Sequence, residues 1–318
     1  MSKRQVRISS KTVEATDVCS FELIDLDGRG LPPFSAGSHI DVYLGDGLTR
    51  QYSLCNDPNE THRYQIAVLK DPNSRGGSRA MHALEAGQIL EVSEPKNHFA
   101  LQNGVDHVML LAGGIGITPI LCMAERLSTA GASFEMHYCT RSTERTAFME
   151  RIRDSDFHRR VWFYHDEGPS QRRLEPVQLF SEADRGTHLY VCGPTGFMNA
   201  MLDTARAAGW EEGRLHREYF GAGSTHKNTA GSFDVQIAST GRIINIPANC
   251  SVVAALTSAG ITIDTSCEQG VCGTCITRVI DGTPDHQDLF LTAEERARND
   301  QFLPCCSRSK SARLVLDL

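Results

Sequence analysis

The sequence predicts a multidomain chain: an antiparallel β-barrel, then an α/β unit built on a parallel sheet, then a small α+β unit. Three observations carry that prediction. Residues 1–103 alternate apolar and polar positions in short runs divided by turn signals. From His107 onward, strand-like apolar runs alternate with helical ones. The C-terminal part holds Cys267-x4-Cys272-x2-Cys275 and, after 29 further residues, Cys305. A length of 318 residues accommodates two or three domains.

In the first segment VRISS, SFELIDL, HIDVYL, RYQIAVLK and QILEVS read as strands. DGRG at 27–30, GDG at 45–47 and DPN at 57–59 and 71–73 supply the turns. One short helix is expected at 79–86, entered through Gly76-Gly77-Ser78 and ended by Gly87. In the second segment HVMLLA is a buried strand, GGIGIT a turn, and PILCMAERLSTA a helix with Pro119 at its first position and Gly131 just past its end. SFEMHYC at 133–139, VWFYHD at 161–166 and HLYVCG at 188–193 are further strands of the parallel sheet. Small polar residues at 221–232 read as a linker. Beyond them FDVQIAST and RIINIP flank Gly241 as a hairpin, and CSVVAALTSA is a helix. Thr292-Ala-Glu-Glu295 is a capping box, and ARLVLDL is a closing strand.

The 39 acidic and 32 basic residues leave a net charge of -7 with no basic stretch, which excludes a nucleic-acid surface. No apolar run approaches the length of a membrane span. The start, MSKRQVRISS, lacks the apolar segment of a secretory signal, so a cytoplasmic protein is expected. Eleven cysteines are the unusual feature. In a reducing compartment they read as metal ligands, redox groups or small buried residues rather than as disulfides.

The spacing of Cys267, Cys272, Cys275 and Cys305 is the plant-type ligand pattern of a [2Fe–2S] cluster. Three thiolates must converge from one loop, so the backbone has to curl tightly. Gly270 and Gly273 stand where such a loop needs positive φ or close approach. Backbone N–H groups freed by the curl can bond the sulfurs. Zinc sites usually pair their cysteines as two short knuckles, which this spacing does not do. Cys306 adjoins Cys305 and competes with it for the fourth position.

A second motif, Gly113-Gly114-Ile-Gly116-Ile-Thr118-Pro119, follows a strand and opens a helix, where backbone and helix dipole can receive a pyrophosphate. Pro119 replaces the last glycine of the usual dinucleotide fingerprint and no acid follows at the usual distance, so a plain strand–turn–helix connection remains an alternative. A third, Arg50-Gln51-Tyr52-Ser53, sets a cation, an aromatic ring and a hydroxyl at a strand end, as a flat phosphorylated cofactor requires. Strand tyrosines are also ordinary core packing. Gly76-Gly77-Ser78 is either a phosphate loop or a turn with a serine N-cap.

Taken in order, RQYSLCN, GGIGITP, VCGP at 191–194 and the C-terminal cysteine motif resemble the phthalate dioxygenase reductase family, the reductase components of Rieske oxygenases, across the whole chain. The resemblance implies an FMN-binding barrel at 1–104, an NAD-binding α/β domain at 105–222 and a plant-type ferredoxin of β-grasp fold at 223–318. It also implies roles. Arg50, Tyr52 and Ser53 match the flavin motif, with Ser53 near flavin N5. Ala67, Val68 and Lys70 match the strand beside the flavin, and Gly76, Gly77 and Ser78 its phosphate loop. Gly113, Gly114, Gly116 and Thr118 match the nucleotide loop, and Cys192, Gly193 and Pro194 the border of the nicotinamide. Phe220 matches the aromatic residue covering the flavin.

NADH gives two electrons and the cluster takes one at a time, so a flavin between them is the converter. The implied sequence is hydride from nicotinamide to flavin, single electrons to the cluster, then transfer to a partner Rieske-type oxygenase by a monomeric reductase. Arg141, at a strand end, could bind the 2′-phosphate of NADPH, whereas the resemblance favours NADH. A reductase for another acceptor, or an iron–sulfur redox sensor without turnover, is the rival reading.

Overall fold

The computed structural model describes residues 3–45, 47–74, 76–168, 171–220 and 231–318. They form two compact units, Met1–Glu218 and Tyr219–Leu318. The first unit begins with β1 (Lys3–Ala15), β2 (Val18–Asp25), β3 (Ser38–Tyr43), β4 (Thr49–Ser53), β5 (Tyr64–Leu69), α1 (Gly77–Ala83), β6 (Ile89–Ser93) and β7 (Lys96–Asn97). The strands lie antiparallel in the order β4-β3-β6-β1-β2-β5, with β7 beside β3. A bridge between Leu54 and Ile66 ties the end of β4 to β5, so the sheet curls back on itself as a barrel. Register shifts near Ser10 and Ala15 give β1 the extra twist that curling needs. Alternate residues such as Val6, Ile8, Phe21, Leu23, Ile40 and Val42 fill the interior.

The same unit continues with β8 (His107–Gly113), α2 (Ile117–Thr129), β9 (Phe134–Thr140), α3 (Met149–Arg153), β10 (Val161–His165), α4 (Pro176–Glu182), β11 (Thr187–Cys192), α5 (Thr195–Ala207) and β12 (Leu215–Glu218). These strands are parallel, in the order β10-β9-β8-β11-β12. The chain therefore winds one way from β8 and the other way from β11. At that reversal the carboxyl ends of neighbouring strands send their connections apart and leave a crevice. Gly131, with φ of +64°, ends α2 as the sequence indicates.

Two helix starts differ from expectation. Gly114–Gly116 is a 3-10 turn rather than an open one, so α2 begins at Ile117 and Pro119 is its third residue. Proline is tolerated there because first-turn N–H groups have no intrahelical acceptor. The short helix α1 runs from Gly77 rather than residue 79, and Gly76, with φ of +99°, stands at its N-cap without a side-chain bond. Ser78 is thus not the cap; its hydroxyl accepts the N–H of Asp71 at 3.1 Å.

The second unit contains β13 (Phe233–Ile237), β14 (Ile243–Ile246), α6 (Val252–Ser258), β15 (Thr277–Asp281), β16 (Pro284–Asp285), α7 (Ala293–Arg298), β17 (Gln301–Phe302), β18 (Arg308–Ser309) and β19 (Arg313–Leu316). Its sheet, β14-β13-β19-β15-β17, is mixed: β13 and β19 run parallel and the other pairs antiparallel. Val252 and Leu256 of α6 pack on its core, the grasp arrangement. Ser251 caps α6, and Thr292 with Glu295 forms the capping box of α7. The cysteine loop lies between α6 and β15. Most of the expected linker, 221–230, lies outside the described residues. Among the described residues no helix is long and apolar enough to cross a membrane.

Candidate functional site

The four cysteines of the spacing motif are buried in the second unit. Their thiols draw together two by two: Cys267 with Cys272, and Cys275 with Cys305, each pair within hydrogen-bonding reach. The contact with Cys267 holds the Cys272 thiol below its ordinary range and pushes Cys267 up. Two pairs suit two irons with two thiolates each, whereas a single zinc wants four ligands around one point. The loop is built as its glycines require, with φ of +71° at Gly270 and +72° at Gly273. Its N–H groups turn inward: Gln269 N–H donates to Cys267 Sγ at 3.3 Å, and those of Val271, Thr274 and Gly270 face Cys267, Cys272 and Cys305. Cys306 is half-buried; its Sγ lies against Gly270, and its thiol is within reach of Cys305 rather than of Cys275.

In the first unit, Gly113 and Gly114 lie at the carboxyl end of β8, and Cys192, Gly193 and Pro194 at that of β11, which are neighbours at the winding reversal. Their approach is set by missing side chains. A Cβ on Gly116 would stand 2.2 Å from the Cys192 carbonyl oxygen, and one on Gly193 3.0 Å from Gly113 Cα. Phe197 and Pro194 fill the space over Gly113. Thr118 turns its hydroxyl back to the Ile115 carbonyl at 3.1 Å. On the side a Cβ would take, Gly113, Gly116 and Gly193 are thus filled by protein, while Gly114 faces open space. Arg141 is exposed at the end of β9, and its carbonyl accepts the N–H of Glu167 at 2.8 Å.

The barrel brings its own motif to the same unit. Arg50 lies across Gly77, where a Cβ would meet its side chain at 2.5 Å, so cation and glycine turn share one place. Desolvation pushes the Tyr52 phenol up. Gln51 between them donates to Asp41 Oδ1 at 3.0 Å and lies 3.1 Å from His39 Nε2, which pins β4 on β3. Ala67 and Val68 are buried on β5 and Lys70 is exposed just beyond it.

Ser53, the last residue of β4, donates to Glu218 Oε2 at 3.3 Å. Glu218 ends β12 and is the register neighbour of Cys192 on β11. Desolvation pushes the Glu218 carboxyl up to about 8, and it lifts the fully buried Cys192 thiol well above its ordinary value. The structure thus joins Ser53 and Cys192, 139 positions apart, through a residue that sequence reasoning passed over. The strand it ends, Leu215-His-Arg-Glu218, has no apolar run to mark it. Phe220 belongs to the second unit and is 42% exposed.

A family model for the 2Fe-2S iron-sulfur cluster binding domain, Fer2, matches residues 235–310. The chain is 54% identical over 313 residues to a vanillate O-demethylase oxidoreductase of Pseudomonas putida, covering 98% of each. It is 40% identical over 316 residues to the phthalate dioxygenase reductase of Burkholderia cepacia, covering 99% of this chain and 97% of that one. The chain belongs to the phthalate dioxygenase reductase family. The solved phthalate dioxygenase reductase, described as a modular structure for electron transfer from pyridine nucleotides to [2Fe-2S], superposes with a TM-score of 0.80 at 39% identity, covering 100% of this chain and 98% of that one. As a member of the phthalate dioxygenase reductase family the chain is an oxidoreductase, and its C-terminal unit is a [2Fe–2S] ferredoxin fold.

Proposed function

We propose that this protein carries electrons from NADH through FMN and a [2Fe–2S] cluster to a Rieske-type oxygenase or demethylase component. The observation that carries the reading is the Ser53–Glu218 bond beside Cys192. It joins the barrel strand suited to a flavin and the winding reversal suited to a nicotinamide in one place. When bound, the flavin supplies the conversion from a two-electron donor to one-electron steps.

The residues then have distinct tasks. Arg50 with Gly76 and Gly77 binds the flavin phosphate, and Ser78 ties that turn to Asp71. Tyr52, Ala67, Val68 and Lys70 border the flavin. Gly113, Gly114, Gly116 and Thr118 receive the nucleotide phosphates, with Cys192, Gly193 and Pro194 at the nicotinamide. Ser53 lies near flavin N5, with its hydroxyl oriented by Glu218. Phe220 covers the flavin. Cys267, Cys272, Cys275 and Cys305 ligate the cluster, and the thiol pairing favours Cys305 over Cys306 for the fourth place. Arg141 meets the adenosine end of NADH. The modules are a barrel to residue 104, a nucleotide domain to 222 and a ferredoxin beyond. The protein works as a monomer in the cytoplasm, where cysteines stay reduced.

Purified protein should contain flavin and iron, and NADH should bleach its visible spectrum, with a lower Michaelis constant than NADPH. Protein lacking both cofactors, or unaffected by NADH, would sink the reading. Turnover of vanillate in the presence of the Pseudomonas putida demethylase oxygenase tests the choice of partner.

A further inference from the structure

The stretch between Cys275 and Cys305 carries a buried polar knot. Asp288 is 2% exposed, and its Oδ2 accepts the backbone N–H groups of Leu291 at 2.8 Å and Phe290 at 3.2 Å. Ser307 donates to Oδ1 at 3.5 Å, and Arg296 Nη2 lies 3.5 Å from Oδ2 while donating to the Asp288 carbonyl. His286 Nδ1 stands 3.7 Å from Oδ1. A buried carboxylate costs folding energy unless it is satisfied in this way, and once satisfied it fixes the backbone that feeds it.

That fixed backbone lies against the cysteine loop. Leu289 N–H donates to the Gly270 carbonyl at 2.9 Å, and a Cβ on Gly270 would come within 3.0 Å of Asp288 Cα. The consequence is the seat of Phe290. A Cβ on Gly273 would lie 2.4–2.7 Å from three of its ring carbons, so the ring rests on the loop between Cys272 and Cys275. About a third of the residue, 36%, faces outward.

We propose that Phe290 is a lid that keeps water off the cluster loop, with Asp288 as the positioning residue that holds it down. This rests on the reading that Cys267, Cys272, Cys275 and Cys305 ligate a [2Fe–2S] cluster. Reduction adds negative charge to such a cluster, and water stabilises the more charged state, so a lid keeps the reduction potential low. It also bars competing ligands from the iron–thiolate bonds.

The test uses the holoprotein. Phe290→Ala should raise the cluster midpoint potential and release iron to an anaerobic chelator about tenfold faster, a barrier change of about 1.4 kcal/mol. Phe290→Trp should restore both. Asp288→Ala should reproduce the faster release with Phe290 present, and Asp288→Asn, which keeps an acceptor for Leu291 N–H, should fall between. NADH–ferricyanide reduction through the flavin should not change. If the alanine variant retains no cluster, Phe290→Leu gives the reading: iron release faster than wild type supports the lid, and wild-type release overturns it. A Phe290→Ala protein with wild-type potential and release rate overturns the proposal. Wild-type protein without iron overturns the cluster reading itself.

Discussion

Gly116→Ala isolates the close approach of the head of α2 to the end of β11, on which the proposed nucleotide site depends. The added methyl would stand 2.2 Å from the Cys192 oxygen, 2.4 Å from its carbonyl carbon and 2.6 Å from Gly193 N. Ordinary van der Waals contact begins near 3.4 Å, so one backbone must move by about an ångström. Both are rigid: Gly116 leads into α2, and Cys192 is held in β11 between β8 and β12. Overpacking of this kind costs about 1–3 kcal/mol. For a unit of some two hundred residues that is a fall in melting temperature of about 2–12 °C. The displacement also shifts the proposed nucleotide site, so the Michaelis constant for NADH should rise while flavin and iron contents stay at wild-type levels. Differential scanning calorimetry and steady-state kinetics measure the two effects. A variant with unchanged melting and unchanged Michaelis constant would refute the idea that this close approach shapes the site.

Glu218→Gln should change the pH dependence of stability. The folded carboxyl ionises only near 8 and the unfolded one in the ordinary range, so wild-type stability falls as pH rises through that window, by at most about 1.4 kcal/mol per pH unit. Melting curves from pH 4 to 9 on the order of one unit apart should show the wild type declining and the glutamine variant flatter. Ser53→Ala removes the donor to Glu218 and should slow flavin reduction by NADH about tenfold in stopped flow, the worth of one hydrogen bond. Cys272→Ser should abolish cytochrome c reduction while ferricyanide reduction persists; equal loss of both would contradict the electron order.

The grouping of the four cysteines was legible because three of them lie in one loop, and chain spacing alone then constrains geometry. The sheets were legible from period, as the alternation along β13 and the continuous burial of β8 illustrate. Glu218 was not, because its meaning arises from two non-local facts: its register beside Cys192 and its bond to Ser53, 165 residues away. Asp288 is similar; an acid between two strands reads as surface until three separate segments are seen to feed it. The early start of α2 was hidden by Gly114 and Gly116, whose low helix propensity masks a turn that the crevice demands.

The two thiol pairs differ in what must exist before each forms. Cys267 and Cys272 come from one loop, five positions apart. Cys275 precedes β15 and Cys305 follows β17, and they meet because Thr277 pairs with Phe302 and Arg278 with Gln301. A nascent chain can therefore bring the first pair together early, but the second pair exists only once β17 has paired with β15. Binding energy for the second iron is then spent on closing the sheet, and an assembled cluster certifies that the C-terminal unit has folded.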